Sequence, residues 1–139
     1  MNKDAKYDLA GRVIGCAMAV HRELGAGFCE AVYQNALIYE LKLIEISAET
    51  EKKIDVFYKE VIVGNFSADL IIANKLILEL KAVRTLVTAH EVQLVNYLTA
   101  TGIQTGLLLN FGATSLEYKK KHRNYQAPKT FPHPPRLQG

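Results

Sequence analysis

Residues 68–82 constrain this chain more than any other stretch; they read Ala-Asp-Leu-Ile-Ile-Ala-Asn-Lys-Leu-Ile-Leu-Glu-Leu-Lys-Ala. Two runs of β-forming residues, 70–73 and 76–80, meet at Asn74-Lys75, and this pattern predicts a β-hairpin. Three charges interrupt it: Asp69, Glu79 and Lys81. Charged side chains are rarely buried without partners, so three of them in so apolar a segment need a reason. Glu79 and Lys81 are two apart and share one face of a strand, which turns Leu78 and Leu80 toward a core on the other. A carboxylate then stands beside an ammonium, with a second carboxylate one strand away. Two such carboxylates can hold a hard cation such as Mg²⁺ through oxygen. A neighbouring lysine can orient water or stabilise charge on a phosphoryl group, which is the equipment of metal-assisted phosphodiester hydrolysis. A surface salt bridge between Glu79 and Lys81 accounts for the same residues without chemistry.

Register decides whether the two carboxylates meet. A two-residue turn at Asn74-Lys75 sets Ala73 opposite Leu76 and Asp69 opposite Leu80, so that Asp69 points away from Glu79. Asp69 faces Glu79 if Ile72 lies opposite Leu76 across a three-residue loop, or if a bulge intervenes. Such a loop calls for a left-handed residue at Asn74 or Lys75, and Asn tolerates it better.

The remaining sequence bounds the setting. A chain of 139 residues, 49% hydrophobic and 22% charged, fits one soluble domain with its own core. A net charge of +3 permits a nucleic-acid partner without demanding one. Cys16 and Cys29 lack metal-ligand spacing and lie in helix-like segments, which predicts two buried free thiols. No signal peptide is recognisable and no apolar run is long enough to span a bilayer, so the expected setting is the cytoplasm, with no membrane contact.

In chain order, Leu9, Val13, Val20 and Leu24 predict a helix over about residues 8–24, with His21 near its end and Gly25-Ala26-Gly27 stopping it. A second helix is expected over about 29–44, with Glu30 in its first turn. Residues 49–53 read as a solvated strand start, and Ile54, Val56 and Tyr58 as an edge strand. Gly64-Asn65 reads as a turn feeding the central hairpin. Thr88 and Glu91 form a predicted capping box, opening a helix that ends at Gly102 and stacks Gln93 and Tyr97 on one face. Residues 106–111 suit a strand covered on both faces, and 116–118 a short edge strand. Lys119, Lys120, Lys121, His122 and Arg123 are a basic cluster, either solvated surface or phosphate contacts. All four prolines fall in 128–135, so a domain over 1–126 and an extended tail over 127–139 are expected. The element order is helix, helix, three strands, helix, strand: an α/β fold with helices on both faces of a mixed sheet.

These residues carry a resemblance. Gly27, Glu30 and Tyr33 make the G-x-x-E-x-x-Y signature of the GxxExxY family, which is similar to the PD-(D/E)XK nuclease superfamily. Asp69, Glu79 and Lys81 match that superfamily's D…E-x-K motif, with Ala68 where the name-giving proline would stand. Gln93 and Tyr97 match the Q-x-x-x-Y motif of RecB-type nucleases. The resemblance covers about residues 21–112 and implies a restriction-endonuclease-like αβββαβ core. It implies Asp69 and Glu79 as ligands of Mg²⁺ or Mn²⁺, and Lys81 as the residue that positions the attacking water or stabilises the phosphate. It implies Glu30 as a ligand of a second metal through water or as an orienter of the nucleophile. Gln93 would hold Lys81 or a substrate phosphate, with Tyr97, Tyr33 and His21 in support. The implied activity is hydrolysis of DNA or RNA, with DNA favoured; the alternative is a non-catalytic nucleic-acid or protein-binding module that keeps the fold. The small surface suggests a homodimer or a larger complex.

Overall fold

The hairpin of residues 68–82 forms the centre of a five-stranded sheet in a computed structural model that describes residues 8–123. The Pro-rich tail lies outside the described residues. The elements are α1 (Leu9–Leu24), α2 (Glu30–Leu43), β1 (Glu49–Tyr58), β2 (Val61–Ile72), β3 (Leu76–Lys81), α3 (Thr88–Thr101), β4 (Thr105–Asn110) and β5 (Glu117–His122). Strands follow in the order β1-β2-β3-β4-β5. Only β3 and β4 run parallel, joined by the α3 crossover.

Alternation along the two inner strands makes the two layers. Leu76, Leu78 and Leu80 of β3, with Leu107 and Leu109 of β4, pack under Val13, Ala17, Val20, Leu37 and Leu41 of α1 and α2. Ile77 and Leu108 face the other way, against Leu94 and Leu98 of α3. The run expected to be a covered central strand is therefore β4, buried from Gly106 to Asn110. A helical layer on each face of a mixed sheet is what the sequence predicts.

Several local expectations are corrected. No turn forms at Gly64-Asn65; β2 runs through it for 12 residues, and the chain reverses at Lys59-Glu60, with Lys59 left-handed. Glycine and asparagine on an exposed strand, paired with Val56 and Asp55, meet no packing demand that would break the ladder. Thr88 is not an N-cap: α3 is capped at Val87, whose amide donates to His90 Nδ1, and Glu91 instead pairs with Lys121. The basic cluster is not a tail beyond a short strand but most of β5 itself. Cys16 is buried, and burial raises its thiol pKa, but Cys29 is exposed at the α2 N-cap.

Tyr33 explains two letters of the G-x-x-E-x-x-Y pattern. Its ring is fully buried and stacks on Phe111 with centroids 4.7 Å apart. Its hydroxyl donates to the Gly25 carbonyl and accepts from the Phe28 amide, closing the α1–α2 connection over Gly27, which sits at φ +118°. Tyr33→Phe leaves the stack and orphans these backbone groups, so it should lower unfolding free energy by about 1–3 kcal/mol in urea titrations. Equal midpoints and slopes for the two proteins would remove the hydroxyl from this account.

Candidate active site

The hairpin turns through three residues. Ile72 lies opposite Leu76 and Leu70 opposite Leu78. Ala73 and Asn74 are both left-handed, and the Lys75 amide donates to the Ile72 carbonyl at 2.9 Å. Asn74 is thus left-handed as expected, and Ala73 before it is left-handed as well. This register extends to Asp69 across from Glu79, which a two-residue turn would have prevented.

At that point the sheet forks. The β2–β3 ladder stops at Leu70 and Leu78. The Leu80 amide then donates to Asp69 Oδ2 at 2.8 Å, and the Asp69 amide donates to Glu79 Oε2 at 3.2 Å, so side chains take over where the ladder ends. The outer ladder is interrupted at the same level. Thr50 pairs with Leu70 and Lys52 with Ala68, but Glu51, at φ +49°, does not pair with Asp69. Side-chain alternation breaks here too: Ala68 packs on the α3 side, Leu70 on the α1/α2 side and Ile71 again on the α3 side. Irregularities of this kind re-aim side chains, and here the one re-aimed is Asp69.

Burial governs the electrostatics. Glu79 is 7% exposed. Its pKa is pushed up to about 8, first by burial and then by the Asp69 carboxylate. Burial likewise raises Asp69, against the opposing effects of the Leu80 amide and the Lys81 ammonium. Each carboxyl therefore gives up its proton less readily than a free one, Glu79 partly because the Asp69 carboxylate repels its charge. Lys81 is half-buried, and its charge acts on both carboxyls, but it makes no hydrogen bond or ion pair among the described residues. The surface salt bridge between Glu79 and Lys81 is therefore not what forms.

The other candidates divide. Tyr97 stacks on Phe66 with centroids 3.8 Å apart. Burial raises its pKa, with further contributions from Glu79 and Asp69, which places it on the carboxylate side of the sheet. Gln93 is exposed and has no hydrogen bond to Lys81 or Tyr97 among the described residues. Glu30 opens α2 but is exposed, and no hydrogen bond joins it to Asp69 or Glu79. His21 is buried on the α1 side, where Nε2 donates to the Ala113 carbonyl at 2.9 Å and the ring faces Phe111. In the basic cluster, Lys120 pairs with Asp8 and Lys121 with Glu91, while Lys119 is exposed and Arg123 half-buried.

Asn110 and Glu117 were not legible as site residues. Asn110 is fully buried on β4 beside Lys81. Its Oδ1 accepts from the Val83 and Gly112 amides, and its Nδ2 donates to the Val83 carbonyl and to Glu117 Oε1. Glu117 Oε1 also accepts from the Leu86 amide. A polar residue closing an apolar strand run was the only available signal.

The donor set suits a divalent ion of the Mg²⁺ type. Such ions bind through one or two carboxylates and keep several waters, and a cation would relieve the repulsion that raises the Glu79 pKa beside Asp69. No group of three or more His, Cys, Asp or Glu among the described residues is arranged to hold a metal.

Helices on both faces of a mixed sheet, and a forked hairpin carrying D…E-x-K, define the restriction-endonuclease-like fold. The chain belongs to the PD-(D/E)XK nuclease superfamily, which its sequence matches over residues 7–122. Members of that superfamily generally use divalent metals. The crystal structure of SSO0001 is similar in fold, with TM-score 0.54 and 20% identity over 69% of this chain. This chain spans 50% of the length of that one. An alkaline exonuclease from Laribacter hongkongensis aligns with TM-score 0.40 and 14% identity, over 89% of this chain and 73% of that one. No curated protein matches the sequence.

Proposed function

We propose that this chain is a divalent-metal-dependent nuclease that hydrolyses phosphodiester bonds of DNA, with RNA as the second substrate to test, and that it belongs to the GxxExxY branch of its superfamily. The observation that carries the reading is the fork. It sets the half-buried Asp69 across from the buried Glu79, beside a left-handed Glu51, an arrangement that a mere surface ion pair has no need of. Asp69 and Glu79 would hold Mg²⁺ or Mn²⁺, assisted by the Leu80 carbonyl. The bound ion would supply Lewis-acid polarisation of the phosphate and an acidified water. Lys81, half-buried and without a hydrogen bond or ion pair among the described residues, would orient that water or stabilise the extra charge on phosphorus. Tyr97, packed on Phe66, would hold α3 against the forked strand. Glu30 and Gln93, both exposed, would act only through substrate or a bridging water, and Lys119 is the basic-cluster member freest to meet a phosphate.

One observation favours a second reading, a nucleic-acid-binding module without catalysis: the site has two carboxylates rather than three. Labelled single-stranded and duplex DNA and RNA, incubated with Mg²⁺, Mn²⁺ or EDTA, separate the two. Metal-dependent cleavage that is lost in Asp69→Asn is expected. Mn²⁺ should also raise the melting temperature of wild type and much less that of Asp69→Asn, by mass action on the folded state. Binding without cleavage of any substrate would select the module, and an equal metal response in both proteins would take Asp69 out of the site.

A further inference from the structure

The loop that follows the candidate catalytic strand is held far more firmly than a connection needs to be. It runs from Ala82 to the α3 cap at Val87. Val83 is fixed through both its amide and its carbonyl by the Asn110 side chain. Leu86 is fixed through its amide by Glu117, which Asn110 itself orients. Gly112 completes the seat: a Cβ there would lie 2.4 Å from the Val83 carbonyl oxygen and 2.5 Å from Ala82 C. Arg84 and Thr85 stand between the two fixed points, both exposed. Arg84 makes no hydrogen bond or ion pair among the described residues.

We propose that residues 83–86 form a preformed phosphate subsite, in which Arg84 binds a backbone phosphate beside the one at Lys81. The two cations are three positions apart in the chain, so their Cα atoms lie within about 11 Å of each other. Phosphates climb about 3.4 Å per nucleotide along a duplex strand, so one within a few nucleotides of the scissile bond falls in reach. Arginine suits the task because its planar fork takes two phosphate oxygens at once. Freezing the flanking backbone before substrate arrives removes the ordering cost that a mobile loop would add to binding. Asn110 and Glu117 are then positioning residues: they touch no substrate and act through Arg84.

The inference rests on the nuclease reading, and its test distinguishes the two. In full-length protein, Arg84→Ala is expected to raise KM about tenfold with kcat nearly unchanged, and Arg84→Lys to recover part of the loss. Binding to a fluorescein-labelled oligonucleotide in Ca²⁺, read by anisotropy against salt, should lose about 0.7 to 0.9 from its log–log slope. Lys42→Ala, on the exposed side of α2, is the charge control and should change neither. In an Asn110→Ala background, or Glu117→Ala if the first does not fold, adding Arg84→Ala should cost less than threefold in KM, because the subsite is already loose. Unchanged KM and slope in Arg84→Ala would overturn the subsite while leaving the nuclease intact. Full additivity with both background variants would overturn the positioning role. If wild type cleaves nothing, the nuclease reading fails and the salt slope alone decides the subsite.

Discussion

Without metal, the protein should lose stability as pH rises from about 4.5 to 8, and Glu79→Gln should not share the loss. The folded pKa of Glu79 is about 8 against an ordinary 4.5, first because burial disfavours its charge and then because Asp69 repels it. An acid whose pKa is raised by folding stabilises the fold while protonated. Its contribution is complete below the unfolded pKa and is gone above the folded one. The window therefore runs from about 4.5 to 8. The loss across it is on the order of a few kcal/mol, shared with Asp69, whose pKa shifts the same way. Thermal melts in EDTA should show wild type falling roughly 10 °C further than Glu79→Gln over that range. The glutamine keeps an oxygen for the Asp69 amide, so the comparison removes charge and little else. Mn²⁺ added at pH 8 should recover most of the loss in wild type, because it replaces the missing proton. Parallel pH profiles for the two proteins would mean that Glu79 is better solvated than its burial indicates.

The site was more legible than its surroundings because its legibility rests on parity. Counting along residues 68–82 forces a choice of loop length, and the choice that lets Asp69 face Glu79 is the one realised at Ala73, Asn74 and Lys75. Apolar runs long enough to report their periodicity, such as those of α1 and β4, were read nearly to the residue. Where packing makes no demand, punctuation misled: Gly64-Asn65 carries turn residues but lies in an exposed strand. The basic cluster read as a property of composition, yet alternation on β5 sends Lys120 to Asp8 before α1 and Lys121 to Glu91 on α3. Whether a lysine is free depends on which carboxylate the fold brings across a long sequence separation, and local pattern does not encode that. Asn110 was opaque for the same reason, since its partners come from the loop after β3, the loop after β4 and the start of β5, which only the fold gathers at the C-terminal end of the parallel pair. Glu30 shows the converse: a carboxylate in the first turn of a helix is sufficiently explained by the helix dipole, and the fold leaves it exposed.

Removing the lysine should separate chemistry from binding more cleanly than removing either carboxylate. Lys81→Ala is expected to lower the cleavage rate by about a hundredfold to a thousandfold, the usual cost of losing one preorganised electrostatic group from a transition state. Binding of the oligonucleotide in Ca²⁺ should change by only a few fold, since one phosphate contact among several is lost. Stability should hold or rise slightly, because the half-buried ammonium has no hydrogen-bond or ion-pair partner among the described residues. Asp69→Asn should behave differently on all three counts: it removes the charge that repels Glu79, weakens metal binding and lowers the rate together. A Lys81→Ala protein that cleaves at the wild-type rate would remove the lysine from the reaction. One that binds metal normally but melts well below wild type would make Lys81 a structural counter-charge for the Asp69 and Glu79 carboxyls, and the fork would then serve the fold rather than the phosphodiester.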